Sequence, residues 1–207
     1  MVRPLSALLA SALALGCGAS APLPTIAAPP PVAAASFTDD PRPLHYHSAR
    51  FELTVPFPDG PGWKIDDHHA PQLVATHAAT ESTLTLELTT ESALTNRQRC
   101  EAFARERGLV HDDALQTVAD EIIVGPGSYD SHVTVAALPA TAPHRSTSGH
   151  VFLFGGYMRK CLFVHFETKE REGEDEAALS TRLAVARLQI LGGIKVEAFD
   201  EPTLRRR

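Results

Sequence analysis

The 207-residue chain predicts an α+β domain, a mainly antiparallel sheet with helices on both faces in three α-β-α layers. Three observations carry that expectation. Several stretches alternate apolar and polar residues and are joined by links of hairpin length, which makes neighbouring strands antiparallel. Two longer stretches repeat apolar residues at helical spacing. One run, Cys161 to Phe166, is almost continuously apolar, as in a strand covered on both faces.

Taken in order, Phe51-Glu52-Leu53-Thr54-Val55 has the period of a half-buried strand, and Pro56 is expected to end it. Pro58-Asp59-Gly60-Pro61-Gly62 is a dense turn signal. Trp63-Lys64-Ile65 starts a second strand, Leu73 to His77 forms a third, and Leu84, Leu86 and Leu88 alternate in a fourth. A helix follows. Thr95 and Gln98 have capping-box spacing, Cys100, Phe103 and Ala104 share one face, and Gly108 stands where the helix should stop.

Strand patterns return at Glu121 to Val124, Tyr129 to Leu138 and His150 to Phe154. Gly125-Pro126-Gly127-Ser128 reads as a tight turn, and the Pro-, Ser- and Thr-rich stretch 139–149 as a loop. Beyond Phe166, the run ETKEREGEDE from Glu167 to Glu176 reads as a solvated connection that adds negative charge at the next helix start. Leu179, Leu183, Ala186 and Ile190 then form a helical stripe, with Arg182, Arg187 and Gln189 off it. Gly192-Gly193 terminates that helix, and Ile194 to Val196 forms a last short strand. One globular domain thus spans 44–197, with a polar tail at 198–207.

Composition agrees with a folded chain: 43% of residues are hydrophobic and 21% charged. The formal charge is -6, an acidic balance that argues against a general nucleic-acid binder, which needs a basic surface to replace phosphate counterions. Residues 1–16 have the form of a signal peptide. Arg3 is its one charge, and Leu5 to Leu15 is apolar but too short to span a bilayer. Losing Arg3 takes 19 basic residues to 18 against 25 acidic ones, near -7 for the mature chain.

Leu13-Ala14-Leu15-Gly16-Cys17 resembles a lipobox, which implies that Cys17 is acylated and holds the chain to a membrane. Cleavage after Gly18 or Ala19, with no anchor, is the alternative. Gly18-Ala19 lack the Asp of inner-membrane retention, which by resemblance to Gram-negative sorting implies the outer membrane. Residues 17–43 carry Pro22, Pro24, Pro29, Pro30, Pro31, Pro41 and Pro43 among alanines, the composition of an extended tether.

With Cys17 acylated, Cys100 and Cys161 remain as a pair. In an oxidising periplasm such a pair forms a disulfide, here pinning the first helix to the doubly covered strand. No Cys-x-x-Cys is present.

Ten histidines raise the question of a metal. Asp66-Asp67-His68-His69 is the densest group, and His45 and His47 would share a strand face. A zinc or copper site needs three or four donors converging on one point, and linear spacing shows no convergence. His-Glu-x-x-His and the acidic calcium loop are absent, and Gly125 to Ser128 lacks the residues of a phosphate loop or a nucleophile elbow. The expectation is therefore no cofactor, no metal and no catalytic residue.

The early Phe51–Val55 strand, the Pro/Gly turn before Trp63-Lys64-Ile65, and the helix after Leu84-Leu86-Leu88 together resemble the PsbP-like fold across roughly residues 48–197. The long antiparallel run and the closing helix before Ile194-Lys195-Val196 complete the resemblance. That family includes extrinsic photosystem subunits, a Ran-binding import factor and bacterial envelope lipoproteins, so it implies a scaffold more often than an enzyme. The expected role is a non-catalytic envelope lipoprotein that binds an envelope protein or surface component. The alternative is a periplasmic metal- or small-ligand-binding protein using the histidines around His68.

Overall fold

The computed structural model describes residue 37 and residues 43–110, 114–140 and 146–197, all within the compact unit Val32–Arg207. Its strands are β1 (Leu44–Ser48), β2 (Leu53–Phe57), β3 (Trp63–Asp66), β4 (Leu73–His77) and β5 (Ser82–Thr90), then β6 (Gln116–Val124), β7 (Asp130–Leu138), β8 (Ser148–Tyr157), β9 (Lys160–Lys169) and β10 (Lys195–Val196). Helix α1 (Arg97–Glu106) follows β5, and α2 (Glu176–Val185) follows β9. Seven strands form one sheet in the order β3-β4-β5-β9-β8-β7-β6, and β1-β2-β10 form a small second one. Every pairing is antiparallel. The α+β, mainly antiparallel class is as the sequence predicts.

The central strands explain the apolar run. Along β8 and β9, Val151, Leu153, Leu162, Val164 and Phe166 enter the main core, which also holds Leu179, Leu183, Ala186 and Ile190. The alternating Phe152, Phe154 and Phe163 enter a second cluster with Ala104 of α1. Alternate residues of a strand point to opposite faces, so α1 and the stripe of α2 contact opposite faces of this sheet.

Six of the ten residues of helix α1 are polar or charged, and it buries mainly Cys100 and Ala104. Its N-cap is Asn96, whose side chain accepts from Arg99 N at 2.9 Å, one residue past the expected Thr95. The Thr95 hydroxyl instead donates to the Lys160 carbonyl at 3.0 Å. Gly108 ends the helix with φ 66; its N–H bonds to Arg105 O, and Leu109 N bonds to Ala104 O, both at 2.9 Å. That is a Schellman motif.

Three expectations are corrected. Pro56 lies inside β2, beyond the two residues that pair with β10, so its missing N–H breaks no ladder bond on that side. Strand β6 begins at Gln116 rather than Glu121, with a bulge between Thr117 and Ala119 and an exposed edge that hides its periodicity. Glu167, Thr168 and Lys169 belong to β9 rather than to a solvated connection, and the Glu174 side chain is buried against Arg182. Arg182 itself is 1% exposed, because Glu174, the Thr168 hydroxyl and the Lys169 carbonyl accept from its guanidinium.

Phe37 falls within the segment read as a tether, yet it is 2% exposed and stacks on Trp63 with ring centroids 5.7 Å apart. The globular core therefore takes in a residue ahead of position 44. A lone aromatic carries no periodicity, so no sequence pattern marks it.

Candidate functional site

Cys17 lies outside the described residues. Cys100 and Cys161 are joined, with Cα atoms 5.3 Å apart, so the disulfide expected from the sequence is present. His45 and His47 lie exposed on β1, and His47 Nδ1 sits 2.8 Å from Glu197 Oε1.

The four residues around His68 do not converge. Asp66 Oδ1 accepts from the backbone N–H of His68 at 3.0 Å and of His69 at 3.1 Å, and the His69 ring lies 3.0 Å from it. These bonds, led by the His68 N–H, hold the Asp66 carboxyl at about 2. Asp67 turns the other way and is 3% exposed, with Oδ2 3.4 Å from the Tyr46 hydroxyl and Oδ1 3.3 Å from Arg50 Nε. This is a capped turn beside an inward ion pair.

A different group does converge, on the sheet face that α1 covers only in part. His150 of β8 pairs across the ladder with Glu167 of β9, and Phe152 pairs with His165. The four side chains share one face, and one donor atom each from His150, His165 and Glu167 lie within 4.8 Å of one another. His150 Nδ1 and His165 Nε2 are 3.1 Å apart, and the Ser148 hydroxyl is 2.9 Å from His150 Nε2. The Phe152 ring stacks on His165 at 4.4 Å with planes 7° apart, which fixes the imidazole's tilt.

The cluster forms the polar floor of a cleft of about 290 Å³. Phe163, Leu109 and Leu115 supply apolar wall, with Gly108, Gln72 and Thr85 completing the lining. The Schellman turn that ends α1 is what sets Gly108 and Leu109 there. Burial pushes the His150 ring below its ordinary value, Glu167 partly opposes this, and Lys169 adds to it. A contact between Nδ1 of one ring and Nε2 of the other needs one donor and one acceptor, which two neutral imidazoles provide. The arrangement can hold a proton or a cation, and its rigid frame can orient a ligand.

Spacings of 15 and 17 residues hide this group in the linear chain. The missed signal is the hairpin. Once Tyr157 pairs with Lys160, counting back along both strands sets His150 opposite Glu167.

A larger hollow of about 530 Å³ lies between α2 and the β6-β7 edge, lined largely by apolar side chains such as Val118, Val135 and Leu183. It gathers no comparable set of donors among the described residues.

Two other histidines serve the frame. His77 is 1% exposed and links Asp59 Oδ2 to the Thr80 hydroxyl, each at 2.8 Å. The order resembles an acid-histidine-hydroxyl relay. Thr80 is fully buried, however, and its hydroxyl continues to Ser82 Oγ at 2.8 Å, so the chain is closed to a substrate.

His132 of β7 bridges α1 to edge strand β6, with Nδ1 2.8 Å from Glu101 and Nε2 2.5 Å from Asp120. Burial opposes its charge, but hydrogen bonds to the two carboxylates outweigh this and raise its pKa above the ordinary 6.5. Burial likewise pushes both carboxyls up, yet both are held low by His132, together with Arg105 at Glu101 and Thr134 at Asp120. A raised histidine pKa stabilises the fold below the unfolded value, and the gain is lost as pH rises through the folded value. Unfolding titrations of the parent and His132→Gln should therefore differ by about 1 kcal/mol near pH 6 and converge as pH rises through the folded value. A gap that widens with rising pH would contradict the bridge.

No known family profile matches this sequence, and no curated protein is similar to it. Among solved structures, the Ran-binding protein Mog1p of Saccharomyces cerevisiae is similar at a TM-score of 0.53 and 8% identity, over 75% of this chain and 96% of that one. Cyanobacterial PsbP (CyanoP) of Synechocystis is similar at a TM-score of 0.45 and 9% identity, over 81% of this chain and 99% of that one. The likeness to Mog1p, a fold that the PsbP-like resemblance includes, shows a shared architecture. At this identity it shows the fold alone.

Proposed function

We propose that this chain is a non-catalytic binding protein of the bacterial cell envelope, held at the outer membrane through acylated Cys17 and facing the periplasm. Its ligand site would be the cleft floored by His150, His165 and Glu167. The observation that carries the binding role is that cleft, where polar groups converge between aromatic and aliphatic walls on a rigid sheet. It takes the place of the His68 region as the location for a bound ligand. The Cys100–Cys161 disulfide supports an oxidising compartment, and it leaves Cys17 as the third cysteine, available for acylation. An envelope protein or surface component is the partner class that fits a tethered domain.

Two measurements test this reading. Cells expressing the full chain should incorporate labelled palmitate, and Cys17→Ser should abolish the label; an unlabelled parent reduces the claim to secretion. A photo-reactive residue at Leu115, on the cleft wall, should capture a partner in cells. The same probe at exposed Leu188 should not. Equal capture at both positions, or none at either, would remove the cleft from the binding role.

A further inference from the structure

We infer that His150 Nδ1, His165 Nε2 and a Glu167 carboxylate oxygen form a binding site for a late first-row divalent cation, zinc(II) being the type case. The inference rests on the cleft being the binding site, and it names the ligand's chemistry.

Spacing comes first. Two imidazole nitrogens bound to one zinc at about 2.0–2.1 Å, with a tetrahedral angle between them, stand roughly 3.3 Å apart. The two ring nitrogens here are 3.1 Å apart, so a cation can enter between them with little movement of either ring. The cation would replace the hydrogen bond between the two nitrogens, the donor ring then carrying its proton on its other nitrogen. Glu167 follows from the register: it faces His150 directly and lies diagonally from His165.

The surrounding groups support the site as well. A ligating histidine is normally held by a hydrogen bond at its other nitrogen. His150 Nε2 has that bond in the Ser148 hydroxyl, which is itself buried. His165 is held by the stacked Phe152 ring, and both histidines come from paired strands in the middle of the sheet. The main competitor is Lys169, whose Nζ lies 3.7 Å from Glu167 Oε1. That pair is half exposed, so breaking it costs little.

Chemistry of the donor set decides the class of ion. Two nitrogens and one carboxylate favour zinc or copper over calcium and magnesium, which need more oxygen ligands. Three protein donors leave a fourth position, which water or a donor atom from a partner would complete.

The test uses the full mature chain, stripped with chelator and titrated calorimetrically with zinc chloride. One equivalent should bind. His165→Gln should weaken binding by at least about 100-fold, since it removes a ligand, and Ser148→Ala by about 10-fold, since it removes the supporting bond. Glu167 is exposed enough for Glu167→Gln to fold, and that variant should also lose at least about 10-fold. The His68→Gln/His69→Gln double variant should bind like the parent.

Absence of saturable one-to-one binding in the parent overturns the site. So does binding that survives His165→Gln and Glu167→Gln, or that is lost in the His68/His69 variant. Capture of a partner at Leu115 by a protein that binds no zinc would leave the binding role standing and the cation refuted.

Discussion

Replacing Cys100 and Cys161 together by alanine should lower the unfolding free energy by about 4 kcal/mol. The two residues are 61 apart, and closing a loop of that length removes about this much free energy from the unfolded ensemble at 25 °C. The folded state gives a local reason to expect a large effect. Helix α1 buries few side chains, so the bond between Cys100 and Cys161, together with the Arg97–Asp130 and Glu101–His132 pairs, ties its first turns to the sheet. Urea titrations of the parent and the double variant measure the loss, and hydrogen exchange locates it. Protection should fall first in α1 and in the Gly108–Leu109 turn that walls the cleft. Equal midpoints for the two proteins would show that packing and the ion pairs to β7 hold the helix without the disulfide.

Arg182→Met should cost about 3–5 kcal/mol, the usual effect of removing one partner of a buried pair. Arg182 and Glu174 are 1% and 3% exposed, with Nη2 and Oε2 2.8 Å apart. Thr168 and the Lys169 carbonyl would lose their donor as well. The uncompensated Glu174 carboxylate dominates the cost, so adding Glu174→Gln should recover a large part of it.

Burial opposes the Glu174 charge, but the Arg182 hydrogen bond outweighs it and holds the carboxyl below its ordinary 4.5. The contribution of Glu174 is therefore present above that value and lost as pH falls through the folded one. Denaturant midpoints of the parent, the single variant and the double variant provide the check. A loss under 1 kcal/mol for Arg182→Met would mean that water reaches the pair.

Much of the fold is legible from side-chain period. Leu73–His77 forms a strand with the limits expected from the sequence, and Leu179, Leu183, Ala186 and Ile190 are all buried as their spacing requires. Gly108 stops α1 because only a residue tolerant of positive φ suits the Schellman position. The reading failed where a partner overrode the pattern. Arg182 lies off the apolar stripe and nothing in the sequence marks it as buried; Glu174, Thr168 and the Lys169 carbonyl compensate its desolvation. Glu167 looked like part of a polar loop because its charged neighbours masked the end of β9.

By itself, then, the sequence determined the α+β class, the existence of most strands, the apolar stripe from Leu179 to Ile190 and the pairing of the two domain cysteines. Each of these follows from local period or from counting, and needs no knowledge of what lies across the sheet. The tertiary structure alone decided which histidines matter. Asp66 to His69 are adjacent in the chain, yet the four do not converge, since a capped turn pairs Asp66 with His69 in solvent and sends Asp67 inward. His150 and His165 are distant in the chain but meet because one hairpin register sets their strands side by side and puts both rings on one face. Convergence is a property of register, and register is settled by pairing between strands rather than by the order of residues within one.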